Sequence, residues 1–305
     1  MEPFSSYKPN LFLNLVLVYI LWGSTYLGVK IGLQDLTPLL LTGIRFTVGG
    51  IILFSYSLLN TRTLDIKEVI GSFKIGFLLS GIGTSAVAYA ILYIPSGIVA
   101  VLVATLPVWI FLLDFFFFSK KAPSWLSAIG MLTGLVGVLF LFDPFGQVKN
   151  AQEHINYFVV AIIFIGTISW AFGSLLSSKT KQVKGTQGIA LQMISGGFIA
   201  LTLSLFLESN QIDQLIHIHL NSVLAMTYLI FIGSFIGYTS YVWLINNAPP
   251  LLTSTYAFVN PVVALFLGFF IAHELLQNQT IIACAIILFG VVLMTIGRRR
   301  KNFES

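Results

Sequence analysis

The sequence predicts an all-α membrane protein: ten transmembrane helices, arranged as two inverted five-helix repeats around a central cavity. Three observations predict it. Of 305 residues, 57% are hydrophobic and 9% charged, with a mean hydropathy of +0.93; a soluble domain carries about 25% charged residues and needs them to cover its surface. Ten apolar runs are each long enough to cross a bilayer. Short motifs in the first half of the chain recur in order in the second.

A spanning helix needs about 20 mostly apolar residues. The runs are 11–33, 38–59, 70–93, 96–118, 124–142, 156–178, 187–207, 222–245, 250–272 and 277–297. They are too long for barrel strands and do not alternate. Hydrocarbon leaves no partner for an unpaired backbone group, so they read as helices. The first run exceeds a signal-peptide core, lacks a small-residue cleavage site and is followed at once by more spans, so no secretory signal is expected. The longest connections, 143–155 and 208–221, are too short for a soluble domain, which puts the chemistry within or between helices.

Charge orients the runs. With the N-terminus in the cytoplasm, that side receives Lys8, Arg62, Lys67, Lys74, Lys120, Lys121, Lys179, Lys181, Lys184, Arg298, Arg299, Arg300 and Lys301, thirteen of the 16 basic residues. The other side receives Lys149, while Lys30 and Arg45 fall inside spans. Excess Lys and Arg stay cytoplasmic, which sets both termini there and favours an even helix count. The net charge of +5 is thereby explained without nucleic acid.

The repeat divides the chain at 1–150 and 151–305. Trp22-Gly23-Ser24 recurs loosely as Trp170 to Ser174, Gly49-Gly50 as Gly196-Gly197, Pro107 as Pro261, and Gly137-Val138 as Gly290-Val291. The stretches Pro95 to Lys120 and Pro249 to Glu274 match at Pro95/Pro249, Pro107/Pro261, Val108/Val262, Leu113/Leu267, Phe115/Phe269 and Phe116/Phe270. Five helices per half is odd, so the second half enters the membrane from the opposite side. Inverted repeats recur in secondary transporters, with the binding site at the repeat interface near the midplane.

The segments WGSTYLGVKIGL, LTGIRFTVGG, SGIVAVLVATLPVW and YAFVNPVVALFLGFFIAHELLQNQTIIACAIILFGVVL resemble the ten-helix members of the drug/metabolite transporter superfamily, the EamA-type exporters. The resemblance covers nearly the whole chain, including the duplication. It implies export of amino acids or other small metabolites across the bacterial inner membrane. It leaves the solute open, because members carry very different ones. One departure is visible: the second half closes its stretch with Glu274, whereas the first has Lys120-Lys121.

Ionisable residues inside a span usually face a cavity. Lys30 is near enough to the end of its run to snorkel. Arg45 starts deeper, and its repeat mate is Gln192. Its guanidinium suits a substrate carboxylate, and Asp35 is the rival partner. Asp114 is the coupling candidate, an acid beside Phe115 to Phe118 where desolvation would favour its protonated form. Lys120 or Lys121 could instead neutralise it. Pro107 and Pro261 each free a carbonyl four residues back, tolerable only beside neighbours or water, and read as hinges on the cavity. Polar-tipped aromatics toward mid-span, Trp22, Tyr26, Tyr89, Trp109, Trp170, Tyr241 and Tyr256, with Asn260, are the candidate substrate contacts. Most of these aromatics are expected to be packing residues, with under half touching substrate. The glycines of Gly130-x-x-x-Gly134 and Gly233-x-x-x-Gly237 read as helix contacts.

The leading function is a secondary transporter that exports a small metabolite, an amino acid first among them, by rocking its two halves. A multidrug exporter or an importer are the rivals within transport. An intramembrane enzyme is the rival class, but it needs clustered His, Asp or Glu, and here they are scattered. No Walker motif points to ATP. No cofactor or metal is expected: Cys284 is single, and His217-Ile-His219 has no third ligand nearby. The expected partners are the solute and the bilayer, with proton coupling as an option and a monomer or weak homodimer as the assembly. Helix 1 lacks a central acid, and Lys30 with Arg45 favours a carboxylate-bearing solute over an organic cation.

Overall fold

The computed structural model describes residues 8–58, 64–90, 93, 99, 102–142, 157–272 and 278–304. Pro95, Lys149, His154, His273 and Glu274, on which part of the repeat, sidedness and histidine readings rest, lie outside the described residues. The described chain is helical, with no strand. The principal helices are α1 (Lys8–Gly32), α2 (Pro38–Ser57), α3 (Ile66–Ala90), α4 (Leu106–Phe118), α5 (Trp125–Phe142), α6 (Tyr157–Ser177), α7 (Thr186–Leu207), α8 (Leu220–Asn247), α9 (Tyr256–Ala272) and α10 (Asn278–Glu304). Six of them (α1, α2, α3, α6, α7 and α8) are long and apolar enough to cross a membrane. Their outward faces carry Phe158, Phe198 and Leu205, each more than two-thirds exposed, as a lipid-facing surface requires.

Two helix pairs form the closest contacts, α2 with α7 and α5 with α10. Both are made by glycine. A Cβ at Gly197 would lie 2.4 Å from the Thr47 backbone nitrogen, and one at Gly50 would lie 2.9 Å from that of Ile194. In the other pair, Cβ positions at Gly130 and Gly290 would lie 2.5 to 2.9 Å from backbone atoms of the facing helix, while one at Gly134 would meet the Phe258 ring at 2.8 Å. The remaining helices pack around these pairs: α1 against α8 and α9, and α6 against α3 and α4.

The two proline segments differ from each other. Pro261 sits inside α9, as expected of a mid-helix proline. Pro107 does not: the chain breaks at Ala104-Thr105, and Pro107 falls in the first turn of α4. There its missing N–H removes no helical bond. The corresponding break in the second half comes earlier, at Ser254-Thr255, after the helical turn Pro250–Thr253. Ser254 and Thr255 hydroxyls donate back to the carbonyls of Leu251 and Leu252 at 2.8 and 2.6 Å, and Thr255 also meets the Tyr19 hydroxyl. The polar run at 253–255 therefore closes the break in the chain.

Three stretches wind with wide, five-residue turns: Phe77–Thr84 in α3, Asp114–Phe118 in α4 and Leu229–Tyr238 in α8. Such turns displace one residue from the helical register and are frequent at functional sites.

The ends of the bundle are tied by polar contacts. At one end Glu208 accepts from Thr37 Oγ1 (2.7 Å) and from the backbone N–H groups of Leu39 (2.7 Å) and Leu40 (3.0 Å), capping α2. Beside it Asp35 accepts from the backbone N–H of His219 at 3.0 Å, with the His219 ring Nδ1 2.8 Å from its other oxygen. At the other end Lys181 Nζ lies 3.1 Å from Asp65 and 3.7 Å from Glu68. Ser72 Oγ there accepts from the Val183 N–H.

Candidate functional site

A cavity of about 170 Å³ lies between α1, α2, α3, α6 and α9, closed below by the break before α4. One wall is aromatic. Trp22 and Trp170 meet edge to face at 5.8 Å, and Tyr256 stands edge-on to Trp22 at 5.0 Å. The opposite wall is small: Gly83, Thr84, Gly166 and Thr167. These small residues let α3 and α6 approach, since a Cβ at Gly166 would lie 2.4 Å from that of Ala86.

Arg45 reaches into this cavity from α2. Its Nε donates to Ser234 Oγ at 2.6 Å, and its guanidinium passes over Gly233, where a Cβ would sit 2.8 Å from Nη2. The wide turn of α8 thus creates the slot that Arg45 occupies. The Trp22 indole N–H uses the same turn, donating to the Gly233 carbonyl at 3.0 Å. A Cβ at Gly237 would fall 2.7 Å from that indole nitrogen. Gly233 and Gly237, expected to bring two helices together, instead make room for these two side chains.

Arg45 has no carboxylate partner among the described residues. Its expected rival partner, Asp35, is engaged at the end of the bundle. Hydrogen bonds from Ser222 and from His219 hold the Asp35 carboxyl down to about 2. Among the described residues, no Asp or Glu lines the cavity. A half-buried guanidinium, bonded through Nε to Ser234, lying over the Phe46 ring and facing a cavity, is an open site for an anionic oxygen pair.

Five of the nine expected substrate contacts meet here: Trp22, Arg45, Trp170, Tyr256 and Asn260. Three do not line the cavity. Tyr241 is fully buried behind it. Its hydroxyl accepts from the Trp170 indole at 2.7 Å and meets Ser174 Oγ at 2.5 Å. Its ring packs on Trp22 at 4.9 Å, so it fixes both tryptophans in place. Trp109 donates to Thr105 Oγ1 and packs on Phe164. Tyr89 packs on Tyr93 and lines a separate apolar pocket between α2, α3, α6 and α7. The side chain of Tyr26 lies outside the described part of the structure.

Asp114 is half-buried and does not line the cavity. It opens the wide turn of α4 and accepts from the Ser119 hydroxyl at 2.7 Å. No ion pair joins it to Lys120 or Lys121 among the described residues. Lys30 is exposed, in keeping with snorkelling.

The sequence matches the EamA-like transporter family twice, over residues 11–143 and over 157–296. The chain belongs to that family. Among its relatives is "Uncharacterized inner membrane transporter YedA" of Escherichia coli (strain K12), 35% identical over 290 residues, covering 94% of this chain and 91% of that protein. Another is "Uncharacterized transporter YoaV" of Bacillus subtilis (strain 168), 24% identical over 95% of this chain and 98% of the relative. A crystal structure of another protein, 18% identical, superposes with a TM-score of 0.77 over 95% of this chain and 98% of that one, which shows a shared fold. Family membership makes the chain a membrane transporter, and the intramembrane-enzyme alternative falls away.

Proposed function

We propose that this transporter exports small carboxylate-bearing metabolites, amino acids foremost, across the bacterial cytoplasmic membrane by alternating access. The observation that carries this reading is Arg45, facing the cavity with no carboxylate partner among the described residues. The same charge disfavours organic cations, the usual cargo of multidrug exporters. The volume points the same way: about 170 Å³ is below the roughly 300 Å³ at which ligand pockets for larger molecules begin. The inner membrane and the outward direction follow the printed name of YedA and the resemblance to EamA-type exporters respectively.

The proposal includes ten spans in two inverted halves, 1–150 and 151–305, with both termini cytoplasmic. The double family match supports the duplication. So does the pattern of contacts: α2 pairs with its mate α7 and α5 with its mate α10, while α1 on α9 answers α6 on α4. A two-fold relation between halves requires that arrangement. Lys181 meeting Asp65 and Asp35 meeting His219 agree with the two loop sets assigned to opposite faces. Asp114 as the proton carrier, Pro261 as a hinge inside α9, and the chain break just before Pro107 as the hinge of the first half complete the proposal.

Reconstitution into proteoliposomes tests it. With a panel of amino acids, with and without a pH gradient, at least one accumulates against its gradient in wild-type vesicles, and Arg45→Gln abolishes that accumulation. Movement of no amino acid under either condition would remove the substrate class.

A further inference from the structure

We infer that a phospholipid acyl chain lies in the apolar groove between α6 and α7, behind the wall that α3 presents to the cavity. The inference does not depend on what the cavity carries. The groove has a volume of about 300 Å³, the size at which ligand pockets begin. Its lining follows helical spacing on three spans. From α3 come Ile82, Ser85, Ala86 and Tyr89, at i, i+3, i+4 and i+7. From α6 come Phe158, Ile162 and Ile165, and from α7 Leu203 and Leu207. Residues so spaced share one face of a helix, so the groove runs along the helix axes. From Ile82 to Tyr89 it covers about 10 Å of helix rise. Ser85 and Ala86 are buried at its floor, Ile82, Ile162 and Leu203 are half-buried on its sides, and Phe158, Ile165 and Leu207 are exposed on its rim.

The rim decides what fills the groove. Phe158 and its exposed neighbours belong to the lipid-facing surface of spans α6 and α7. The groove therefore opens sideways onto lipid. Among the described residues that line it, only Ser85 and Tyr89 carry a polar side chain, and Ser85 is buried. Tyr89 lies at one end, packed at 5.0 Å on Tyr93, which is exposed just past the end of α3. Tyrosines favour the membrane–water interface. A slot that is apolar along its length and phenolic at its mouth matches an amphiphile, with the chain inside and the headgroup at the tyrosines. One turn of a helix, about 10 Å across and about 5.4 Å long, already exceeds the groove's volume, so a neighbouring protein could lend it only side chains. An empty groove would leave its lining without partner atoms, and lipid stands at its opening.

The position gives the chain a structural consequence. Gly83 and Val87, on another side of α3, line the cavity that holds Arg45, and so does Gly166 of α6. The two spaces are sealed from each other where Gly166 meets Ala86. A single layer of helix separates them, and the acyl chain backs that layer.

Photolabelling tests the site. The full-length protein is reconstituted in phosphatidylethanolamine and phosphatidylglycerol with a small share of phospholipid carrying a diazirine midway along one acyl chain, and labelled residues are mapped by mass spectrometry. In the wild type, Ile82 and Ile162 are labelled about threefold or more above Leu132 and Phe289, because contact with bulk lipid alone would give the reverse order. Leu132 and Phe289 are the more exposed pair, on α5 and α10. Leu203→Trp fills the groove, so labelling at Ile82 and Ile162 is lost while that at Leu132 and Phe289 is unchanged. Ile162→Trp, read at Ile82 and Leu203, stands in should the first variant fail to fold. Labelling that simply follows exposure around the bundle overturns the inference, as does groove labelling that survives the tryptophan. A second copy of the chain as occupant would leave the groove unlabelled and give disulfide-linked dimers of Leu203→Cys in a Cys284→Ala background, which overturns it too.

Discussion

At the scale of single residues, the site divides into groups that face the cavity and groups that hold them. Depth along a span is written in the sequence, because apolar runs have countable ends. That made Trp22, Arg45, Trp170, Tyr256 and Asn260 readable as mid-span polar or aromatic residues. Rotation about the helix axis is not given by depth, which is why Trp109 and Tyr89 share that description and point elsewhere. Thr84 and Thr167 passed unnoticed because hydroxyl residues are common in spans, where they bond their own helix. A signal did exist in α6: Gly166, Thr167 and Trp170 fall at i, i+1 and i+4, on one face. Asp114 is the residue whose role is most open to a direct test. Asp114→Asn keeps the Ser119 contact sterically but cannot carry a proton, so uptake driven by a pH gradient falls at least about tenfold if it is the coupling site. Counterflow exchange, which needs no net proton movement, continues. Unchanged gradient-driven uptake would exclude that role. Asp35 makes a different prediction. Its carboxyl is held at about 2 by Ser222 and His219. A depressed carboxyl supports its contacts above its ordinary range and loses them as pH falls through the lowered value. Infrared difference spectra of wild type against Asp35→Asn therefore still show its carboxylate band at about pH 3, where an ordinary Asp is mostly protonated. A protonated band at that pH would show that the Asp35–His219 tie does not form.

At the scale of elements, the glycine contacts and the α2 cap decide whether the helices hold their positions. The recurrent pairs Gly49-Gly50 and Gly196-Gly197 stood out in the sequence as repeats. Their use was not readable: Gly50 packs on Ile194 and Gly197 on Thr47, almost 150 residues away, while Gly196 packs on Ser80 and Gly81 of α3. Leucine at 197 would drive its Cβ into the Thr47 backbone at 2.4 Å, where no flexible atom can yield. Gly197→Leu is expected to destabilise by about 1–3 kcal/mol or more, the range for overpacking. The control is the neighbouring Phe198→Leu, on the lipid face, which is expected to have little effect. Thermal melts in detergent separate the two, and equal melting temperatures would refute the tight α2–α7 crossing. Glu208 was equally hidden: at the end of an apolar run it looked like a loop residue. It serves as the cap of a helix 168 to 171 positions earlier in the chain. Helix N-termini attract a carboxylate because their first N–H groups lack partners. Removing it in Glu208→Ala is expected to cost about 0.5–2 kcal/mol, as for a lost cap.

At the scale of the whole molecule, the crossings and the end contacts bear on how the cavity could open to either side. Under the proposed inverted arrangement, the α2–α7 and α5–α10 crossings lie on the axis relating the halves. Backbones in contact at glycine leave little side-chain bulk to shear, so small rotations about such crossings are cheap. Away from that axis, each end of the bundle carries polar contacts between the halves: Asp35 with His219 and Thr37 with Glu208 at one end, Lys181 with Asp65 at the other. Both sets are made at once in this structure. Rocking would have to break one set while keeping the other, in alternation. Cysteine pairs replacing Asp35 with His219, and separately Asp65 with Lys181, test this in a Cys284→Ala background that removes the one native thiol. A short bifunctional reagent is expected to stop transport in either double variant, and a cleavable version of the reagent restores it on reduction. A single variant treated alike keeps its activity. If locking one end leaves net transport intact, that end does not open during the cycle, and rocking about the glycine crossings is wrong. If both locks stop transport but substrate binding to the cavity survives, the lock acts on access alone, as a site reached alternately from two sides demands.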